Sequence, residues 1–140
     1  MKIIGLDIGT VRIGIATSDI MEILASAHSV YRRKSFNEDV RHVAELVTNL
    51  NAGAVVIGLP LKMDGSEGQS VAMAREFGEA LKEQVSVQVV YQDERLSTVS
   101  AERILIESGM RREKRKDTID SVAATIILQT YLDKMSSKKQ

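Results

Sequence analysis

Two hydrophobic periods divide this chain, and the point where one replaces the other limits the folds open to it. Residues 2–8 and 12–18 alternate: Ile4, Leu6 and Ile8 stand against Ile3, Gly5 and Asp7, and Ile13 and Ile15 against Gly14 and Ala16. Alternation of this kind marks strands, and the short link GTV between the two segments predicts a β-hairpin. Residues 26–32 (SAHSVYR) complete a meander. From there the period lengthens. Phe36, Val40, Val43, Ala44, Val47 and Leu50 fall on one helical stripe, and Ser35 with Glu38 forms a capping-box pattern at its start.

The remainder alternates helix with strand. Ala54 to Ile57 predicts a short buried strand ending in GLP, and the loop LKMDGSEG leads to a helix over 69–84 with Ser70, Ala74, Phe77 and Leu81 facing inward. Val85 to Tyr91 predicts another strand, followed by DER and a helix from 97 to 108 closed by Gly109. A charged loop precedes a last helix whose expected buried face is Ile119, Val122, Ala123, Ile126, Ile127, Thr130 and Tyr131. Three strands in a row and then alternating helices and strands predict an α/β fold. It comprises one five-stranded mixed sheet with helices covering it. No internal repeat or linker interrupts the 140 residues, so a single domain over 1–140 is expected.

Composition narrows the chemistry. No window approaches the roughly 20 apolar residues that span a bilayer. The N-terminal apolar run is broken by Asp7 and Arg12, unlike a secretory signal, so no membrane partner and a cytoplasmic location are expected. With no cysteine, a metal would have to sit on carboxylates or on the two histidines. Nineteen basic residues balance nineteen acidic ones, so a nucleic acid would be held by a local basic patch and not by net charge.

Three carboxylates stand out against this background. Asp7 lies inside an apolar strand, on the face of Gly5 and opposite the small residues Gly14 and Ala16. The missing side chains suggest a hollow in which a metal ion or phosphate could approach; the other reading is a turn cap on the amides of Gly9 and Thr10. Asp93 and Glu94 follow the strand VSVQVVY, at the strand end where sheets with parallel strands collect ligands. They point opposite ways if the strand continues, and a plain turn or helix cap is the alternative. Asp120 falls on the shoulder of the inward stripe of the last helix, where Asp117 reads as the N-cap. Separate carboxylates at strand ends and on an inward helix shoulder suit Mg²⁺ or Mn²⁺, which take oxygen ligands.

The segments GLDIGTVRIGIATSD, VVIGLPLKMDGSEG, DERLSTVSAE and KRKDTIDSVAATIILQTYLD together resemble the YqgF family, over essentially the whole chain. Its members carry the names of pre-16S rRNA nucleases and Holliday junction resolvases. The family is similar in fold to ribonuclease H and to RuvC-type resolvases. The resemblance implies a ribonuclease H-like sheet whose first three strands are antiparallel, with helices on both faces. It also implies an acidic catalytic and metal-binding set on Asp7, Glu94 and Asp120, with Asp93 the competitor for the second place. RuvC-type enzymes generally use four acids; Asp117 fits as the fourth only if the last helix starts a turn earlier than expected.

Positive charge gathers in RREKRK, residues 111–116, just before Asp120. Arg111, Arg112, Lys114, Arg115 and Lys116, with Arg12 and Arg95, are the candidate nucleic-acid contacts. Arg32, Arg33 and Lys34 form a second cluster, which a solvated surface also explains. With few aromatics, phosphate and shape readout are expected over base stacking. The expected activity is hydrolysis of phosphodiester bonds in 5′-end maturation of pre-16S rRNA by a monomer or homodimer. Resolution of DNA junctions is the alternative. A non-catalytic RNA-binding scaffold and an ATP-binding half-domain, suggested by the D-x-G-T turn, are the rivals from other classes.

Overall fold

The computed structural model describes residues 1–60, 68–93 and 112–138, and within 112–121 and 137–138 only the course of the backbone. The expected helix over 97–108 and most of the LKMDGSEG loop lie outside the described residues. Five strands form the sheet: β1 (Ile3–Ile8), β2 (Arg12–Ser18), β3 (Ala25–Arg32), β4 (Ala54–Leu59) and β5 (Gln88–Asp93). Their order across the sheet is β3-β2-β1-β4-β5. The first three strands are antiparallel, whereas β4 pairs in parallel with both β1 and β5. The helices among the described residues are α1 (Phe36–Asn49), α2 (Gln69–Gln84) and α3 (Arg112–Lys138).

Side-chain alternation assigns the two faces. Ile4, Leu6 and Ile8 of β1, with Val55, Ile57 and Leu59 of β4, pack against Val40, Val43 and Val47 of α1 and Val71, Ala74, Phe77 and Leu81 of α2. Ile3, Ala16, Ala54 and Val56 face Ala124, Ile127, Leu128 and Leu132 of α3. Helices therefore lie on both faces, as the alternating pattern requires. α1 starts as its cap predicts, with Ser35 Oγ accepting from the Glu38 amide at 3.3 Å.

Four details differ from the sequence reading. In α2 the buried residue of the first turn is Val71, while Ser70 is exposed. Val85 is the extended cap that ends α2, so β5 begins later, at Gln88, and runs on to Asp93. The buried face of α3 is turned toward Ala124, Leu128 and Leu132, leaving Thr130 exposed. Finally, α3 begins at Arg112, so Arg112–Lys116 form its first turns and not a loop, and Asp117 lies inside the helix and is not its cap.

Gly5 explains why α3 sits where it does. A Cβ on Gly5 would come within 2.7 Å of Leu128 Cβ and 3.2 Å of the Ala124 carbonyl oxygen. The missing side chain at Gly5 therefore makes room for the helix. Gln129 fixes the helix in register with the start of β3. Its Oε1 accepts from the Ala25 amide at 2.8 Å, and its Nε2 donates to the Ile23 carbonyl at 2.9 Å.

Candidate metal and nucleic-acid site

Asp7 stands next to the carboxyl end of β1, level with Gly14 of β2. Alternation from Ile3 and Gly5 puts it on the face that α3 covers, and it is half-buried. The parallel register carries its row across the sheet: Leu6 is level with Ile57, and Gly58 with Gln92. The carboxyl ends of β1, β4 and β5 thus share one edge of the sheet, where ligands of such sheets gather.

The turn after Asp7 is closed by the Gly9 amide, which donates to the Arg12 carbonyl at 2.9 Å. A Cβ on Gly9 would lie 2.8 Å from that same oxygen, so a side chain there is excluded by the backbone itself.

Asp93 ends β5, level with Leu59. Leu59 and Tyr91 belong to the core beneath α1 and α2, so alternation assigns Asp93 to that side, opposite Asp7. The structure therefore does not bring these two acids onto one face. Glu94, like Arg95 and Arg111, lies outside the described residues. Asp120 is within α3, four residues before Ala124 and eight before Leu128, the spacing that shares a helix face. Among the described residues no three His, Asp or Glu side chains form a group that could hold a metal. Of the candidate cations, Arg12 opens β2 level with Arg32, while Arg112, Lys114, Arg115 and Lys116 lie along the first turns of α3.

Sequence reasoning missed one buried charged network. Arg33 Nε donates to Asp39 Oδ2 at 2.8 Å, and the Lys34 amide donates to Asp39 Oδ1 at 2.9 Å. Burial alone would raise the Asp39 carboxyl; the bonds from Lys34, Arg33 and Tyr31 outweigh it and hold it below the ordinary value. Tyr31 is pushed up by burial and by its bond to Asp39, and its ring stacks on His42 at 4.1 Å between centroids. The signal was present: Asp39 is one helical turn before Val43, on the inward stripe of α1, where a solvated acid does not belong.

A mixed sheet of order 3-2-1-4-5, with an acid near the end of the central first strand and helices on both faces, defines a ribonuclease H-like protein. In fold the chain is similar to Thermus thermophilus RuvC in complex with a Holliday junction substrate. The TM-score is 0.61 at 14% identity, covering 98% of each chain. It is also similar to a fowlpox virus resolvase in complex with Holliday junction DNA, with a TM-score of 0.57 at 15% identity over 96% of this chain and 99% of that one. Residues 1–134 match the family described as RuvX: Holliday junction resolvase, and the chain belongs to that family. It is 48% identical over 134 residues to a Caldanaerobacter subterraneus protein named "Putative pre-16S rRNA nuclease", covering 95% of this chain and 96% of the relative. A protein of the same name from Halalkalibacterium halodurans is 44% identical over 140 residues, covering 99% and 100%.

Proposed function

We propose that this chain is a divalent-cation-dependent endonuclease that acts in 5′-end maturation of pre-16S rRNA. The observation that carries the reading is Asp7, a half-buried carboxylate beside the shared carboxyl edge of β1, β4 and β5, in a chain whose relatives are named for that activity. The donor chemistry fits Mg²⁺ or Mn²⁺: the candidate ligands are carboxylates and the chain has no cysteine. Asp7, Glu94 and Asp120 would hold the cation. Asp93 falls on the face opposite Asp7, which leaves Glu94 as the second acid of this reading, and α3 begins before Asp117, as a fourth acid there requires. When bound, such a cation lowers the pKa of water and stabilises a leaving oxygen.

The protein's own contribution is placement. The Gly9 turn orients Asp7, and Gly5 lets α3 approach β1, bringing the Asp120 helix to the same face. Arg12, with Arg112, Lys114, Arg115 and Lys116, supplies positive charge for a phosphate backbone, and Arg95 and Arg111 extend it in sequence. Among the described residues no helix is long and apolar enough to cross a membrane. The proposed setting is the cytoplasm, with the chain acting on RNA as a monomer or homodimer.

A labelled RNA carrying the 16S 5′ leader, incubated with Mn²⁺ or Mg²⁺, tests the reading. Cleavage by the parent and a loss of about 10²-fold or more in Asp7→Asn are expected; equal cleavage by both proteins refutes it. The second reading, resolution of a DNA four-way junction, is favoured by the family description and by the RuvC-like fold. A junction offered in parallel and cut in preference to the RNA would select it.

A further inference from the structure

The Arg33–Asp39 pair has no part in the proposed acid set, yet it reaches the turn that follows Asp7. Asp39 is 1% exposed, and the Arg33 side chain is largely buried. A guanidinium is a planar fork with donors along two edges. With Nε committed to Asp39, Arg33 Nη1 donates to the Gly9 carbonyl at 3.0 Å, and the Phe77 ring lies 5.9 Å from the guanidinium carbon. The Arg33 amide also donates to the Val11 carbonyl at 2.9 Å. The turn joining β1 to β2 is thus tied to the first turn of α1 through the Arg33 side chain, and to the end of β3 through the Arg33 amide. A buried ion pair contributes little net stability compared with apolar packing of the same shape. What this pair does provide is a fixed orientation, two residues from Asp7.

We propose that Arg33, braced by Asp39, is a positioning residue for Asp7: it fixes the Gly9 turn and with it the direction in which the Asp7 carboxylate leaves β1. This rests on the reading of Asp7 as a cation ligand. Arg33→Lys keeps a charge opposite Asp39, but one ammonium cannot span Asp39 and the Gly9 carbonyl together. In the cation-free variant, hydrogen-exchange protection of the Gly9 amide is expected to fall about tenfold or more while Val55 and Ile57 in β4 keep theirs. The Mn²⁺ concentration for half-maximal cleavage is expected to rise about tenfold. The substrate KM and the rate at saturating Mn²⁺ should stay within about threefold of the parent, because positioning acts through metal affinity. Asp39→Asn, which retains an acceptor for the Lys34 amide, should reproduce the selective loss at Gly9.

Unchanged Gly9 exchange and unchanged Mn²⁺ dependence in both variants overturn the proposal, as does protection lost evenly across β1 and β4. Asp7→Asn measured alongside separates the two claims. If it cleaves like the parent, the nuclease reading fails and takes the cation role of Asp7 with it. If it is inactive while Arg33→Lys matches the parent in both readouts, only the positioning role fails.

Discussion

Gly5→Ala is the smallest change that tests how the two layers meet. The added Cβ would lie 2.7 Å from Leu128 Cβ and 3.2 Å from the Ala124 carbonyl oxygen. Carbon atoms rest at about 3.5–4.0 Å, so α3 must retreat by about 1 Å or β1 must bend by as much. Neither neighbour is the loose end of a side chain: one is a Cβ fixed to the helix backbone, the other is the backbone. Overpacking of this kind costs about 1–3 kcal/mol, which for a chain of this size lowers Tm by roughly 3–10 °C. The same displacement moves the helix that carries Asp120; with Asp120 a cation ligand, as proposed, a shift of about 1 Å is expected to lower the rate by about 10²-fold.

Circular dichroism melts and urea titrations read the first effect, and cleavage of the leader RNA in Mn²⁺ reads the second. Adding Leu128→Ala does not relieve the contact, because alanine keeps the offending Cβ; it should add its own core loss of about 2–5 kcal/mol. A Gly5→Ala protein within about 0.5 kcal/mol of the parent, with an unchanged rate, refutes the claim that this glycine sets the helix position.

Three further outcomes follow from the electrostatics and the caps. Asp39 has a depressed folded pKa, so its contribution to stability is present above the ordinary value of 3.8 and is lost as pH falls through the lower folded value. Urea unfolding of Asp39→Asn between about pH 2 and 6 should show a deficit against the parent that shrinks below that value; a pH-independent deficit refutes this. Tyr91 is pushed up to about 12 by burial and by Glu79, which accepts its hydroxyl at 2.8 Å. Its contribution is full below the ordinary tyrosine value of 10.0 and is lost as pH rises toward 12, so one of the three tyrosines should ionise last in an absorbance titration. Glu79→Gln should bring it down, and three tyrosines titrating together in the parent would contradict the assignment. Ser35→Ala removes the acceptor for the Glu38 amide and should cost about 0.5–1 kcal/mol in a urea titration, with no change in cleavage.

Much of this architecture is legible in period alone. The meander, the two strand–helix alternations and the side of Asp7 all follow from counting by two and by 3.6. The face of α3 does not, because VAATIILQTYL is apolar around most of its circumference. Val122 and Ile126 look as much like core as Ala124 and Leu128 do; Ile119 lies where only the backbone is described. What selects between them is the opposing surface: Gly5 and Ala16 leave space for close approach, and Gln129 locks the register from β3. Likewise Ser70 and Val71 are neighbours in sequence, and only packing on β4 decides which turns inward. The site is half legible for a related reason. Alternation separates Asp93 from Asp7, which counting residues suggests but cannot fix until the end of β5 is known. Arg33 looked like one member of a basic run, because its partner Asp39 comes from a different element.

The placement of α3 has a consequence for how the protein comes into being. β1 pairs with β2 across a short turn, so that hairpin is available as soon as the first residues are made. Its other neighbour, β4, is about fifty residues away, and the helix that covers Gly5 buries Ala123, Ala124, Ile127, Leu128 and Leu132. A nascent chain that has already completed four strands therefore still has the Asp7 face of its sheet bare to water. Synthesis from the N-terminus leaves the first strand waiting for its covering helix, which can dock on this face only when its own translation is nearly finished.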